Sequence, residues 1–302
     1  MRFMLLMCVF CHIECIKKPP MNTNIEDVFS EDCGFLNTGN KITGGNEADL
    51  GQLPWMALLG YKQKDINITE FLCGGTLITK RNVLTAAHCF LGSQNYHKPL
   101  GEHNLNTDID CIIIAKTKIC ADRHIDVPIA AYFTHPEYDS NTLINDIGLV
   151  KMQYSVEFTE YIHPICLPLQ SDLKRLYEPG QQFFVSGWGK ISSRKLGGSM
   201  TLQIAGIFLW NQTKCHEIIP KYSGKFLESQ LCANGENQDA CKGDSGGPMF
   251  AITTDSALEL KYFQIGIVSF APSLSCGTAD LPSIYTRVDS FLKWILEIVS
   301  SN

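Results

Sequence analysis

Residues 240–250 read ACKGDSGGPMF, a serine set among three glycines with an aspartate directly before it. Alone, such a stretch is a glycine-rich bend as readily as a reactive site. Its meaning depends on two segments upstream, LTAAHCF at 84–90 and NDIGLV at 145–150. Together the three supply His88, Asp146 and Ser245, in that chain order. A serine hydroxyl is a poor nucleophile until a base takes its proton during attack, and histidine suits that task because its pKa lies near neutrality. A buried carboxylate then fixes the imidazole tautomer and stabilises the imidazolium that forms. Glycines beside the serine let bare backbone approach a substrate carbonyl, so the amides of Gly243 and Ser245 can face a developing oxyanion.

Around these segments short apolar runs alternate with Gly, Pro, Asn and Asp: FLCGGTLIT at 71–79, IIIAK at 112–116, QQFFVSGWG at 181–189 and FQIGIVSF at 263–270. Runs this short with frequent turns predict an all-β sandwich or barrel. Helical periodicity is clear only in VDSFLKWILEIVSS at 288–301, where Phe291, Leu292, Ile295, Leu296 and Val299 share a face. Asp289 or Ser290 is placed to cap that helix. Residues 16–41 are polar, acidic and proline-bearing, a tail that cannot build a core.

Bulk composition narrows the function. With 302 residues, 45% of them apolar, the chain can bury a sizeable core. A net charge of −6 leaves no basic footprint for nucleic acid. Arg2 and the apolar run at 3–11 read as a secretory signal over 1–15, and no run reaches the ~18 apolar residues of a membrane-spanning helix. CVFCH at 8–12 formally matches a haem-attachment pattern, but it lies inside that signal and is set aside. Cys8, Cys11 and Cys15 leave with the signal, and ten of the thirteen cysteines remain, an even set suited to disulfides. Glycosylation acceptors at Asn67 and Asn211 agree with secretion to the extracellular space.

TAAHC, DIGL, SGWG and GDSGGP, in this order, resemble the trypsin-like serine proteases of the chymotrypsin family, and the resemblance runs from 42 to about 298. It implies two six-stranded antiparallel β-barrels with a C-terminal α-helix, and a division into signal (1–15), propeptide or light chain (16–41) and protease domain (42–302). Family members are made as zymogens and cut before a motif such as the ITGG found here. The resemblance therefore implies cleavage after Lys41, a new ammonium on Ile42 and its pairing with Asp244. It also implies the pairs Cys33–Cys166, Cys73–Cys89, Cys215–Cys232 and Cys241–Cys276. Cys111 and Cys120 are left to enclose a short loop, an extra bridge similar to that of arthropod clip-domain proteases, although no clip domain is expected before Ile42. The family's usual bridge behind the serine is missing at both ends, where Phe183 and Ala251 stand.

The same resemblance places Asp239 at the base of the specificity pocket, which implies cleavage after Lys or Arg. Ala271 and Ser283 occupy wall positions that are usually glycine; they narrow the pocket and favour slender lysine, with a smaller substrate residue left open. Residues 269–271, from Ser269 to Ala271, are expected to pair with substrate backbone. LGEHNLNTDIDC at 100–111 resembles the family's calcium loop, with Glu102, Asn104, Thr107 and Asp110 as oxygen ligands of a structural ion; an acidic loop that is merely solvated is the other reading. Catalysis itself needs no cofactor. The implied partners are a protein substrate, an upstream trypsin-like activating protease and a protease inhibitor, with no nucleic acid and no membrane. A weak or inactive homologue that binds rather than cuts is the competing class, and the unusual pocket is the one feature in its favour.

Overall fold

The structure, a computed structural model, describes residues 28–35, 46–62, 69–91, 96–97, 99–169, 173, 176–190, 197–235, 240–272 and 281–301. The short apolar runs form strands. In the first half these are β1 (Asn46–Glu47), β2 (Met56–Lys62), β3 (Thr69–Leu77), β4 (Asn82–Thr85), β5 (Tyr96–His97), β6 (Pro99–Leu100), β7 (Cys111–Ile114), β8 (Thr117–Cys120), β9 (Ile125–Asp126), β10 (Ile129–Thr134) and β11 (Gly148–Met152). In the second half they are β12 (Gln182–Gly187), β13 (Gln203–Leu209), β14 (Gln230–Asn234), β15 (Pro248–Thr254), β16 (Leu260–Phe270) and β17 (Ser283–Arg287).

The second half closes. Its strands run β13-β12-β15-β16-β17-β14, and β14 returns to β13 through the pairs Phe208↔Asn234 and Leu209↔Ala233, giving a six-stranded antiparallel barrel. The first half runs β10-β11-β4-β3-β2-β6-β9, with β5 also on β2, and stays open among the described residues. The expected pair of six-stranded barrels is thus one closed barrel and one curved sheet of a chymotrypsin-like fold. Among the described residues β6 and β9 share only the pairs Pro99↔Asp126 and Leu100↔Ile125; an edge this short, with a proline that donates no N–H, does not carry the ladder round to β10.

The two halves share a core. Trp55 from the first half meets Phe250 and Tyr262 from the second at ring separations of 5.8 and 4.8 Å. Phe183 and Ala251 are both buried in the core of the second barrel, so apolar packing fills the region where the absent bridge was expected. Four disulfides join pairs of described residues, Cys33–Cys166, Cys73–Cys89, Cys111–Cys120 and Cys215–Cys232. Cys241 is also disulfide-bonded, whereas Cys276 lies outside the described residues.

The hairpin β7–β8 forms a separate two-stranded sheet. Ala115 and Lys116 take left-handed φ of 46° and 72° at its tip, the conformation that a tight two-residue hairpin turn requires. Its disulfide stands at the neck, and Ile113 is 76% exposed.

The C-terminal helix spans Leu292–Ser300 and follows a 3-10 turn at Val288–Phe291. Ile295 is buried, and Leu292, Trp294, Ile298 and Val299 pack against the shared core. Leu296 is outside that set, and Trp294 and Ile298 join Phe291, Leu292, Ile295 and Val299 on the packed face. Neither Asp289 nor Ser290 caps the helix; its start carries no side-chain cap. The carboxylate of Asp289 instead takes two hydrogen bonds from Arg287, at 2.6 and 2.8 Å.

Candidate active site

His88 sits on a 3-10 turn, Ala87–Phe90, directly after β4. Asp146 is fully buried just before β11. The approach to it is fixed by a side-chain-built turn: Asp139 accepts from the Asn141 amide at 2.9 Å and from the Thr142 hydroxyl at 2.8 Å. Leu143 and Asn145 there adopt φ of 54° and 53°, and the Asn145 side chain donates to the Glu137 carbonyl at 2.9 Å. These local bonds hold two left-handed residues that would otherwise be disfavoured.

The carboxylate of Asp146 collects three donors. The His88 amide reaches Oδ1 at 2.9 Å, His88 Nδ1 lies 2.7 Å from Oδ2, and the Ser269 hydroxyl donates to Oδ2 at 2.5 Å. The Thr286 hydroxyl donates to the Asp146 carbonyl at 2.8 Å. A carboxylate so placed keeps the proton of a neutral imidazole on Nδ1 and leaves Nε2 as its acceptor. Tyr138 lies nearby; burial first, then the charges of Asp146 and Asp139, push its phenol up.

The Ser245 loop belongs to the other half but is bonded to the first. Its carbonyl accepts from the Gly74 amide at 2.7 Å, and the flanking Gly246 amide donates to the Val268 carbonyl at 2.8 Å. Gly246 has φ +78°, and a Cβ there would meet Thr85 Oγ1 at 2.2 Å and the Gly74 carbonyl at 2.6 Å. Only glycine lets the loop lie this close to the strands that lead to His88. Gly243 has φ +108°, and a Cβ there would approach Gly189 Cα to 2.9 Å.

Asp244 points its carboxylate at the backbone of SGWG. Oδ1 accepts from the Gly189 amide and Oδ2 from the Cys241 amide, both at 2.8 Å. Burial raises its pKa from 3.8 to about 6, against the lowering effect of those two bonds. Lys41 and Ile42 lie outside the described residues, as do Asp239 and Asn67. Of the pocket positions, Ser283 is buried on β17 opposite Ala233, and Ala271 is exposed beyond β16. Asn211 is exposed, and its side-chain oxygen accepts from the amides of Thr213 and Lys214, capping the helix Gln212–Ile218.

The acidic loop at 100–111 is also ordered by its own carboxylates. Glu102 and Asp110 are both buried. Asp110 accepts from the amides of His103 and Asn104 at 3.1 Å each and from the Thr107 hydroxyl. His124 lies 3.2 Å from Glu102. Burial raises the Glu102 pKa, His124 lowers it, and the Asp110 charge raises it further. The carboxylates of Glu102 and Asp110 are hard oxygen donors of the kind that calcium takes, while the Asn104 carbonyl accepts from the Thr107 amide at 2.9 Å. By contrast, Cys73, His88 and Cys89 cluster tightly enough to suggest a metal, but the two sulfurs are joined in a disulfide. Sequence reasoning missed the hydroxyls of Ser269 and Thr286, and His124. Nothing local marks them, because each acts on a residue more than twenty positions away.

The trypsin family model matches residues 42–295. The chain is similar to serine protease grass of Drosophila melanogaster, 38% identical over 289 residues that cover 93% of this chain and 74% of that protein. Phenoloxidase-activating enzyme 1 of Spodoptera litura is 36% identical, covering 91% and 74% of the two chains. The Spaetzle-processing enzyme of Drosophila melanogaster is 35% identical, covering 87% and 67%. The crystal structure of the Drosophila Grass clip serine protease of the Toll pathway superposes with a TM-score of 0.80 at 37% identity, covering 92% of this chain and 77% of that one. With its fold, its motifs and a family match over most of its length in agreement, the chain belongs to the trypsin family of serine proteases.

Proposed function

We propose that this protein is a secreted endopeptidase, made as a zymogen and switched on by cleavage after Lys41, that hydrolyses peptide bonds after Lys or Arg in an extracellular cascade. The observation that carries this reading is the fully buried Asp146 carboxylate, held 2.7 Å from Nδ1 of His88, with the Ser245 loop bonded to the same half of the fold. His88 Nε2 takes the hydroxyl proton of Ser245 as its oxygen attacks the scissile carbonyl, and returns that proton to the leaving amine. Asp146 stabilises the transient imidazolium, and the amides of Gly243 and Ser245 hold the oxyanion. Water then attacks the acyl-enzyme by the same route in reverse.

Asp244 supports the zymogen reading. In the uncut chain its carboxylate has two amide donors but no described cation, and keeping it ionised at neutral pH costs about 3 kcal/mol for a shift from 3.8 to about 6. An ammonium on Ile42, created by the cut, removes that cost by pairing with it and orders the neighbouring Gly243 amide. Asp239 selects the basic side chain, and the buried Ser283 favours lysine over the broader guanidinium. Calcium, held by Glu102, Asp110 and the carbonyls of Asn104 and Thr107, braces the 100–111 loop. The names of the phenoloxidase-activating and Spaetzle-processing relatives support a protein substrate that is activated or processed by cleavage.

The test is limited cleavage of the secreted precursor with a lysine-specific protease, N-terminal sequencing for ITGG, and assay on chromogenic Lys and Arg substrates. Activity that appears only after the cut, and not in Ser245→Ala, is the expected result. A correctly cut but inert protein overturns the endopeptidase reading in favour of a binding homologue. Calcium is tested separately: millimolar calcium should raise the unfolding temperature by several degrees over chelator, and Asp110→Asn should lose roughly all of that gain.

A further inference from the structure

Far from the triad, residues 28–35 cross the back of the protease body. Cys33 is bonded to Cys166, the Gly34 amide donates to the Pro164 carbonyl at 2.8 Å, and the Tyr262 amide donates to the Gly34 carbonyl at 3.0 Å. Between this segment and the 255–259 turn joining β15 to β16 lies a groove of about 950 Å³. Phe29, Ile165, Leu167, Leu169 and Phe263 make its lining apolar. Its border also carries some of the most exposed apolar side chains among the described residues, Leu260 at 59% and Phe35 at 53%, with Leu258 at 81% on the adjoining turn.

The charge at this border is one-sided. Glu31, Asp32, Asp255 and Glu259 line the groove, against Lys261 as the one basic lining residue among the described residues. Lys261 is already engaged, 2.9 Å from Asp255 and 3.7 Å from Glu259, and it also donates to the Glu31 carbonyl at 3.1 Å. Asp32 faces His163 Nε2 at 3.4 Å, so among the described residues four carboxylates meet one lysine and one histidine, beside the exposed side chains of Leu260 and Phe35. Exposed apolar side chains at the rim of a groove, next to an excess of one charge, suit recognition of a partner that carries the opposite charge.

We propose that this groove docks an extended segment of a partner protein in which leucine- or phenylalanine-type side chains alternate with lysine or arginine. The apolar side chains fill the floor, and the cations meet Glu31, Asp32 and Glu259. The groove is independent of the reactive cleft. β16 carries Lys261 at one end and Ser269 at the other, eight residues away, roughly 26 Å at strand rise. A peptide bound here leaves His88 and Ser245 free. One wall of the groove is the 28–35 segment itself, tied by Cys33, so the site is present before and after any cut at Lys41.

The experiment uses the full secreted chain bearing Ser245→Ala, so that a basic probe is not hydrolysed, with excess benzamidine to fill the specificity pocket. The probe is a short fluorescent peptide alternating leucine and lysine; its counterpart with glutamate for lysine is the control. The lysine peptide should bind despite benzamidine and weaken with added salt, while the control does not bind. Glu31→Lys combined with Glu259→Lys should weaken it by about tenfold or more. Leu260→Asp, on an exposed side chain, should weaken it independently of charge reversal at the rim. Equal binding of both peptides, indifference to these variants, or displacement by benzamidine would each overturn the proposal. So would binding that appears only once residues 16–27 are removed, which would assign the groove to the chain's own N-terminal stretch.

Discussion

Asp244 and Ser269 each carry a consequence that a single substitution can read. In the uncut chain the folded form holds a proton on Asp244 up to about pH 6, whereas the unfolded chain releases it near 3.8. The folded state therefore binds the extra proton, and stability falls as pH rises through that window. Asp244→Asn should remove this slope and, after one imperfect hydrogen bond is discounted, stabilise the uncut protein at pH 7 by about 2 kcal/mol. Urea unfolding at pH 4 and pH 7 checks it; after cleavage the same variant should be inactive. Ser269→Ala removes a 2.5 Å donor from Asp146 without touching backbone, so kcat should fall roughly tenfold while KM holds. His88, Asp146 and Ser245 were legible in the sequence because each sits in its own motif. The Ser269 hydroxyl was not, since only folding sets its oxygen against a carboxylate 123 positions earlier in the chain.

At the level of elements, short apolar runs split by turn residues predicted the strands, and β3, β12 and β16 fall where those runs lie. Closure was not legible, because it depends on which two-residue edges find partners. Helix capping failed for a related reason: Arg287 competes for Asp289 through a bidentate pair that a local reading does not weigh. The hairpin β7–β8 yields a prediction of its own. Among the described residues it pairs with no other sheet, and a lone two-stranded hairpin is marginal in water. Replacing Cys111 and Cys120 by serine should remove roughly 2–3 kcal/mol of restraint from the hairpin alone. Limited proteolysis with mass mapping should find new nicks at 112–119, while the global unfolding temperature stays within about 2 °C.

Across the whole molecule, the 28–35 segment is joined to the body by a disulfide and by backbone pairing at one glycine. Gly34 has φ +63°, and a Cβ there would meet the Tyr262 carbonyl at 2.4 Å and Cys166 Sγ at 2.9 Å. Gly34→Ala should weaken the seating of this segment by about 1–3 kcal/mol, read as faster hydrogen exchange at the Tyr262 amide. The same arrangement bears on how the protein is detected. Because Cys33 binds Cys166, a cut at Lys41 leaves the severed piece on every activated molecule. An antibody against 28–35 would then stain precursor and product alike, and the two would migrate together until a reducing agent is added. A reagent that reports the activated fraction in a fluid sample would have to recognise the new carboxylate of Lys41 on the tethered piece, because the amine of Ile42, equally absent from the precursor, is drawn in to the buried Asp244.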